Sequence, residues 1–518
     1  MTTKTRSWIG VALAGVVAVG SATWLLAQAP VAPPQGGRGA APVPPKPISE
    51  EFLLLGDETR GSGEAQFVID PTDANNIIGT GMGTWQAIPG CEAPNVNCKD
   101  FHNFPNSTWP VSAQSFDGGR TWKHFVLPIL EGKRTRCPDP FAGATKDGIM
   151  LIGCEPRETD PVAIDPPGGT ALLRSEDHGK TWSKRIEGIS SYTPNGKYRT
   201  DLNIKSFPQF APDLKPYFGG NSPWDRPWLT FDDKTGTIYL TSSGGQTNID
   251  TGAPDKLRTQ SYFTVSKDKA KSFGTVYALD SLDWPQSGRV SAAAGLGSFA
   301  EIYVASKVPA SEGVSCPCQV FGISYDEGKT WTRHVMKHIV IPAAAPGARA
   351  GGGGGGGGGV SNLIADPTTP GRFSVMRTVQ GAAPHYEIST SNDDGKTWSP
   401  FVSVGTVPEA TSVTKPAIMY SRFGGVIGLT WKAVYTGGSF DVWSVISKDA
   451  GKTFSAPLRV SHEKSPARDY YRNSQQDDND GIDMTKDMLM TIWGDSRAGF
   501  QASWFGKVAL SSYQFGTR

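Results

Sequence analysis

Seven times along the chain a short apolar run meets a turn of Asp, Gly or Pro and doubles back into a second apolar run. The copies are AQFVIDPTDANNIIGTG (Ala65–Gly81), PFAGATKDGIMLIGC (Pro140–Cys154), PWLTFDDKTGTIYLTSS (Pro227–Ser243) and VSAAAGLGSFAEIYVAS (Val290–Ser306). They continue as VSNLIADPTTPGRFSVMRT (Val360–Thr378), PAIMYSRFGGVIGLTWK (Pro416–Lys432) and GIDMTKDMLMTIWGDSR (Gly481–Arg497). Runs of this length, bounded by turn residues and rich in β-branched and aromatic side chains, predict β-hairpins. Long amphipathic helical patterns are missing.

Six of the seven copies are followed by a second pattern, Ser-x-Asp-x-Gly-x-Thr-Trp. It reads SFDGGRTW at Ser115–Trp122, SEDHGKTW at Ser175–Trp182, SYDEGKTW at Ser324–Trp331 and SNDDGKTW at Ser391–Trp398. Two degenerate copies are SKDKAKSF at Ser266–Phe273, with Ala270 in place of the glycine, and SKDAGKTF at Ser447–Phe454. Ser and Asp side chains accept backbone N–H bonds a few residues on, and Gly supplies positive φ, so the octamer predicts a tight strand–turn–strand. Its closing Trp or Phe is an apolar anchor for the next sheet. Six copies of a catalytic acid have no chemical use, so Asp117, Asp177, Asp268, Asp326, Asp393 and Asp449 are expected to be structural.

An inner hairpin followed by an octamer hairpin makes a four-stranded blade. One blade cannot bury both of its faces, so blades stack in a ring. The expected fold is therefore an all-β propeller, with seven blades favoured over six. Phe52–Gly56 is a candidate closing strand for the last blade. The last inner hairpin is followed by Ala502–Phe515, read as a strand pair without an octamer.

The octamers resemble the Asp boxes, or BNR repeats, of the sialidase superfamily of β-propellers. The resemblance covers most of residues 60–516. It implies that each box sits between the third and fourth strands of a blade, on the face away from the active site. Sialidases have six blades, so a seven-bladed ring departs from them. They use three arginines for a substrate carboxylate, a Tyr nucleophile activated by Glu, and an Asp acid/base. The candidates implied here are Arg226, Arg289 and Arg497 for the anionic sugar, and Tyr470 or Tyr471 for attack. Glu64, Asp139 or Asp225 would handle protons. The family's Arg-Ile-Pro motif is absent, and Arg60-Gly-Ser-Gly stands in that region.

Composition adds limits to this reading. The 518 residues carry a formal net charge of +1, which excludes a strong field for nucleic acid or an anionic membrane. Residues 1–29 read as an export signal: Lys4 and Arg6, an apolar run from Trp8 to Leu26, then Ala27-Gln28-Ala29. The alternative is an uncleaved N-terminal anchor. Residues 30–50 are a Pro/Gly/Ala-rich linker, and residues 51–518 form the propeller, with insertions near 83–110, 186–224 and 342–359. An exported chain, periplasmic or extracellular, with six cysteines is expected to form disulfides. Cys137 and Cys154 flank a hairpin and suit a bridge. Cys91 and Cys98 share a loop, and Cys316-Pro-Cys318 is too tightly spaced for an easy mutual one.

Propeller ligands bind where the loops entering and leaving the inner strands converge on the axis. The inner strands here begin at Glu64, Asp139, Asp225 with Arg226, Arg289, Asn362, Lys415, and Asp478 with Asp480, a polar ring of both signs. In WDRPW (Trp224–Trp228), Arg226 can fork onto a carboxylate and Trp224 or Trp228 can stack on a sugar face. Lys415 is a further candidate for substrate binding. The structural reading of these residues is ion pairing between blades and a solvated rim. Asp478, Asp480 and Asp483 space oxygen ligands like part of a calcium loop, the one cofactor expectation. The function expected is an exported, sialidase-like glycoside hydrolase acting on a glycan or glycoconjugate at the axial mouth. The alternative is a non-catalytic propeller that binds glycan or a partner protein. No nucleic acid and no membrane beyond the N-terminal segment is expected as a partner.

Overall fold

A computed structural model describes residues 48–56, 60–85, 109–126, 129, 134–158, 169–190, 224–248, 257–281, 283–286, 290–341, 359–467 and 480–516. Pro47–Arg518 form one compact unit. Seven four-stranded antiparallel sheets follow one another, and each inner strand contacts the inner strands of its two neighbours, which closes the ring. The sequence expectation of seven blades is met. Among the described residues there is no α-helix.

Blade 1 is built from Arg60–Asp70, Asp73–Trp85, Trp109–Ser115 and Lys123–Val126, and blade 2 from Phe141–Ala144, Met150–Cys154, Gly169–Ser175 and Ile186–Ser190. Ile186–Ser190, read from sequence as the head of an insertion, is the outer strand of blade 2, paired with Gly169–Leu172. Blade 3 runs from Trp224–Asp232 to Tyr277–Ala278, blade 4 from Ser291–Gly295 to Thr332–Val335, blade 5 from Val360–Ala365 to Val402–Ser403, and blade 6 from Ser412–Tyr420 to Leu458–Arg459.

Blade 7 takes Gly481–Met484, Met488–Asp495 and Ala502–Ala509 from the end of the chain and its outer strand, Glu50–Leu55, from the beginning. The region after Ala502 is therefore one strand and a short 3₁₀ turn at Leu510–Ser512, where the sequence had suggested a strand pair. This explains the missing seventh octamer. The third and fourth strands of blade 7 come from opposite ends of the chain, so no turn joins them.

All six octamers form the same turn. In Ser324–Trp331 the Ser324 hydroxyl donates to Asp326 Oδ1 (2.8 Å) and accepts the Gly328 N–H (2.7 Å). The Thr330 N–H donates to Asp326 Oδ1 (2.9 Å), the Thr330 hydroxyl to Oδ2 (2.7 Å), and Trp331 Nε1 to the Gly328 carbonyl (3.0 Å). The fourth and fifth octamer residues are left-handed in every copy, including His178, Lys269, Ala270, Glu327, Asp394 and Ala450.

The glycine is needed for contact between blades as well as for φ. A Cβ at Gly328 would overlap the ring of Phe263 in blade 3, and Trp331 packs edge-on against that ring at 6.3 Å. Gly395 stands in the same relation to Phe321 of blade 4, and Gly119 to Phe505 of blade 7. The octamer of blade 3 instead shares an apolar cluster with Leu172 of blade 2, a smaller side chain, and Ala270, fully buried in that cluster, replaces the glycine. Each octamer is thus a clamp onto the preceding blade.

Partial burial opposes ionisation of Asp177, but hydrogen bonds from Thr181 and Ser175 outweigh it and hold the carboxyl down at about 2. Asp268, Asp326, Asp393 and Asp449 are lowered by the same balance. A lowered folded-state pKa adds stability that is present above the unfolded value near 3.8 and is lost as pH falls through the folded one. Thermal midpoints measured from pH 5 to pH 2 should therefore fall, and Asp177→Asn should show a shallower fall than wild type.

One end of the ring is closed near the axis. Arg422, in the turn between the first two strands of blade 6, donates from Nη1 to the Ala144 carbonyl of blade 2 (2.8 Å) and lies 5.6 Å from the Phe231 ring of blade 3. Blades 2 and 3 lie opposite blade 6 in a ring of seven, so Arg422 spans the axis at the octamer end. The inner strands start at the other end, the mouth expected from the sequence.

Candidate functional site

The inner strands begin at the mouth, and four of them carry an uncommon backbone conformation near that end. Glu64 (φ 50°), Asp139 (φ 49°), Arg226 (φ 56°) and Lys415 (φ 50°) are all left-handed. In blades 1, 3 and 6 the pairing register slips at this point, between Gly63 and Gln66, Asp225 and Trp228, and Thr414 and Ala417. These are β-bulges, which bend a strand and re-aim a side chain. Asp139, Arg226 and Lys415 each precede a proline. Proline lacks the N–H a ladder needs and is tolerated at bulges and edges, which suits the unpaired inner edge of each blade. A non-glycine residue in this region costs about 1–2 kcal/mol, a cost that recurs at functional sites.

Two acids therefore stand on adjacent blades 1 and 2, and two bases on blades 3 and 6. None of the four is without a partner inside the protein. Trp224 and Asp225 lie in the same inner strand as Arg226. Two residues beyond Arg226, Trp228 is 43% exposed, a large aromatic side chain left uncovered on an inner strand.

Blade 7 begins at Asp480, whose Oδ1 lies 3.1 Å from Lys432 Nζ on the second strand of blade 6. Burial pushes the Asp480 carboxyl up, against the pull of Lys432 and Lys415. Lys432 was missed from sequence. It sits inside the apolar run GLTWKAV, and a lysine that interrupts such a strand needs a buried counter-charge, which is the signal that points to it.

Asp483 faces the other way. Its Oδ2 accepts the Ile69 N–H of blade 1 (2.9 Å) and its Oδ1 the Met484 N–H (2.8 Å). Asp480 and Asp483 thus serve opposite neighbours, and Asp478 lies outside the described residues. Among the described residues no group of three or more His, Cys, Asp or Glu is placed to hold a metal ion.

Arg497 is 7% exposed and engaged with protein carboxylates. Its Nε donates to Asp495 Oδ2 (2.7 Å), its Nη2 lies 2.7 Å from Glu51 Oε1, and its guanidinium stacks 4.4 Å from the Trp504 ring. It fastens the closing strand Glu50–Leu55 to blade 7. Arg289, Tyr470 and Tyr471 lie outside the described residues, and Asn362 begins the regular pairing of blade 5.

The Cys137–Cys154 bridge is formed, with Cα atoms 5.4 Å apart, and it ties the top of the inner hairpin of blade 2 beside Asp139. Cys316 and Cys318 are bridged as well, with Cα atoms 4.4 Å apart. That corrects the expectation from their spacing, since this separation is at the short end of the disulfide range and still within it.

A buried carboxyl lies inside blade 4, away from the mouth. Glu301 Oε1 is 2.7 Å from Arg333 Nε, and burial pushes Glu301 up to about 7 although Arg333 opposes the rise. For a raised acid, the stability it contributes is fully present below the unfolded value of 4.5 and is lost as pH rises through 7. Urea unfolding of the wild type should show this decline between those pH values, and Glu301→Gln should remove it.

Fold and octamer turns together define the class: a seven-bladed, all-β propeller. No family model matches the chain. A xyloglucanase from Acetivibrio thermocellus is 27% identical over 207 residues, which is 39% of this chain and 21% of that protein. The chain thus spans about a fifth of the length of the curated relative it matches.

Among solved structures, a protein of unknown function from Dyadobacter fermentans is similar at 15% identity and a TM-score of 0.45, over 77% of this chain and 97% of that one. An α-L-arabinanase from Penicillium chrysogenum is similar at 12% identity and a TM-score of 0.42, over 90% and 99%. A leech intramolecular trans-sialidase is similar at 11% identity and a TM-score of 0.44, over 89% and 93%. The architecture stated here rests on the strand pairing of the chain itself.

Proposed function

We propose that the chain is an exported glycoside hydrolase of sialidase-like fold that acts on a glycan at the axial mouth. The observation that carries the proposal is the shared left-handed backbone conformation. It sets Glu64, Asp139, Arg226 and Lys415 at equivalent positions around one mouth, with Trp228 exposed beside them. Glycoside hydrolysis needs a proton donor and a nucleophile or base on opposite sides of the scissile bond. Glu64 and Asp139 supply carboxyls on neighbouring blades, with Asp225 and Tyr470 or Tyr471 as the further candidates. Arg226 and Lys415 hold an anionic or polyhydroxylic group, and Trp228 stacks on a sugar face. The 27% likeness to a xyloglucanase supports a glycan substrate, and the Cys137–Cys154 bridge supports an oxidising compartment.

The test is release of fluorophore from a panel of aryl glycosides, a sialoside and neutral pentosides and hexosides included, by the purified chain. Turnover on at least one member is expected. Silence across the panel, together with measurable glycan binding, would replace this reading with that of a non-catalytic lectin-like propeller.

A further inference from the structure

The two described disulfides differ in span and in cover. Cys137 and Cys154 are 17 residues apart and fully buried, at 0% and 1% exposure. Cys316 and Cys318 are two residues apart. Cys318 is 7% exposed, Cys316 is only partly buried, and Pro317 between them is exposed. The conformational entropy that a cross-link removes from the unfolded chain grows with the loop it closes, so the shorter bridge does far less for folding. Cover runs the same way: Cys316 is partly exposed whereas Cys137 and Cys154 are fully buried, so an attacking thiolate is expected to meet the short bridge first.

The short bridge also sits where a change would be felt. It lies at the end of blade 4 opposite the octamer, in the loop joining the second and third strands, where Cys318 pairs with Ala305. Cys316 and Cys318 pack in one apolar cluster with Trp284, Val290 and Tyr303. The Tyr303 hydroxyl donates to the Trp284 carbonyl (2.9 Å), and Gln286 bridges to Ala305. These contacts hold the segment that leads into the inner strand of blade 4. On the other side Gln319, next to Cys318, accepts the Val360 N–H through Oε1 (3.1 Å) at the start of the inner strand of blade 5. The Cys-Pro-Cys segment thus braces two inner-strand starts at the mouth.

We propose that Cys316–Cys318 is a thiol–disulfide exchange site in the folded protein, open to a dithiol reductant and mechanically joined to the mouth. In the first step one thiolate of the reductant attacks Cys316 Sγ. The Cys316–Cys318 bond breaks, a mixed disulfide forms at Cys316, and Cys318 leaves as a thiolate that takes up a proton. The second reductant thiolate then attacks its own mixed-disulfide sulfur and displaces Cys316. Two electrons have passed to the protein, which now carries two thiols, and the reductant leaves as a disulfide. Reduction unties the brace between Val290 and Val360.

The full chain, without denaturant, is treated with dithiothreitol, quenched with an alkylating reagent and mapped by peptide mass, which reports Cys91 and Cys98 separately. Cys316 and Cys318 should be alkylated at least about tenfold faster than Cys137 and Cys154. Amide hydrogen exchange over residues 283–286 and 359–363 should rise in the reduced protein while the octamer turns keep their protection. The double variant Cys316→Ser with Cys318→Ser should fold with a nearly unchanged thermal midpoint and reproduce the raised exchange. Equal or earlier opening of Cys137–Cys154, or reduction of Cys316–Cys318 only on global unfolding, would overturn the proposal. Selective reduction with no change in exchange would overturn its link to the mouth.

Discussion

Gly328→Ala is expected to lower the unfolding free energy by about 2–4 kcal/mol, as an overpacked core with a left-handed non-glycine residue should. The new Cβ has no free space, because the Phe263 ring of the preceding blade occupies it. The blade 2–3 joint shows how the chain resolves the same conflict. There Leu172 replaces the phenylalanine and Ala270 replaces the glycine. Gly328→Ala should therefore cost less in a Phe263→Leu background, with a coupling of about 1–2 kcal/mol in a double-mutant cycle read by urea unfolding. Strict additivity would mean that the octamer glycine is required for φ alone and that the octamers are not clamps between blades.

Glu64→Gln is expected to reduce turnover of the preferred glycoside by about 10²- to 10⁴-fold, the range for loss of a general acid or base. The amide keeps the size and the left-handed backbone of the native residue, so the thermal midpoint should stay near that of the wild type. Asp139→Asn makes the matched comparison, and the two pH–rate profiles should lose different limbs if one carboxyl donates a proton and the other accepts it. Unchanged turnover in both variants would remove the acids of blades 1 and 2 from the chemistry.

Much of this fold is legible in the sequence because its information is local. Each octamer closes its hydrogen bonds within eight residues, so Ser324–Trp331 identifies its turn without reference to the rest of the ring. The seven inner hairpins are read in the same way. The closing strand Glu50–Leu55 was suggested by its apolar run, but its partner strand Ala502–Ala509 lies at the far end of the chain, and the boxless end of blade 7 was misread for that reason. Side chains that act across blades were harder to read. Arg497 looks like a ligand-binding arginine until Glu51 and Asp495 are seen beside it. Lys432 looks like part of an ordinary strand until Asp480 appears 3.1 Å away. Arg422 spans the axis to a backbone carbonyl 278 residues distant, which no local pattern records.

The candidate mouth was legible for a more specific reason. The repeated hairpins locate the start of each inner strand, and those starts carry Glu64, Asp139, Arg226 and Lys415. The sequence showed which residues begin the strands. Only the backbone showed that Glu64, Asp139, Arg226 and Lys415 share one unfavourable conformation.

That shared conformation gives the most direct test of the central claim, that the left-handed residues at the mouth are held there for the ligand. Arg226→Gly removes the side chain and relieves the backbone, a gain of about 1 kcal/mol where glycine suits the site. Thermal midpoint and glycoside turnover should be measured together on this variant. The account predicts turnover reduced by about tenfold or more with a midpoint close to that of the wild type, the relieved backbone offsetting the loss of the side chain's internal contact. A lowered midpoint with turnover intact would contradict it and make Arg226 a structural tie between blades.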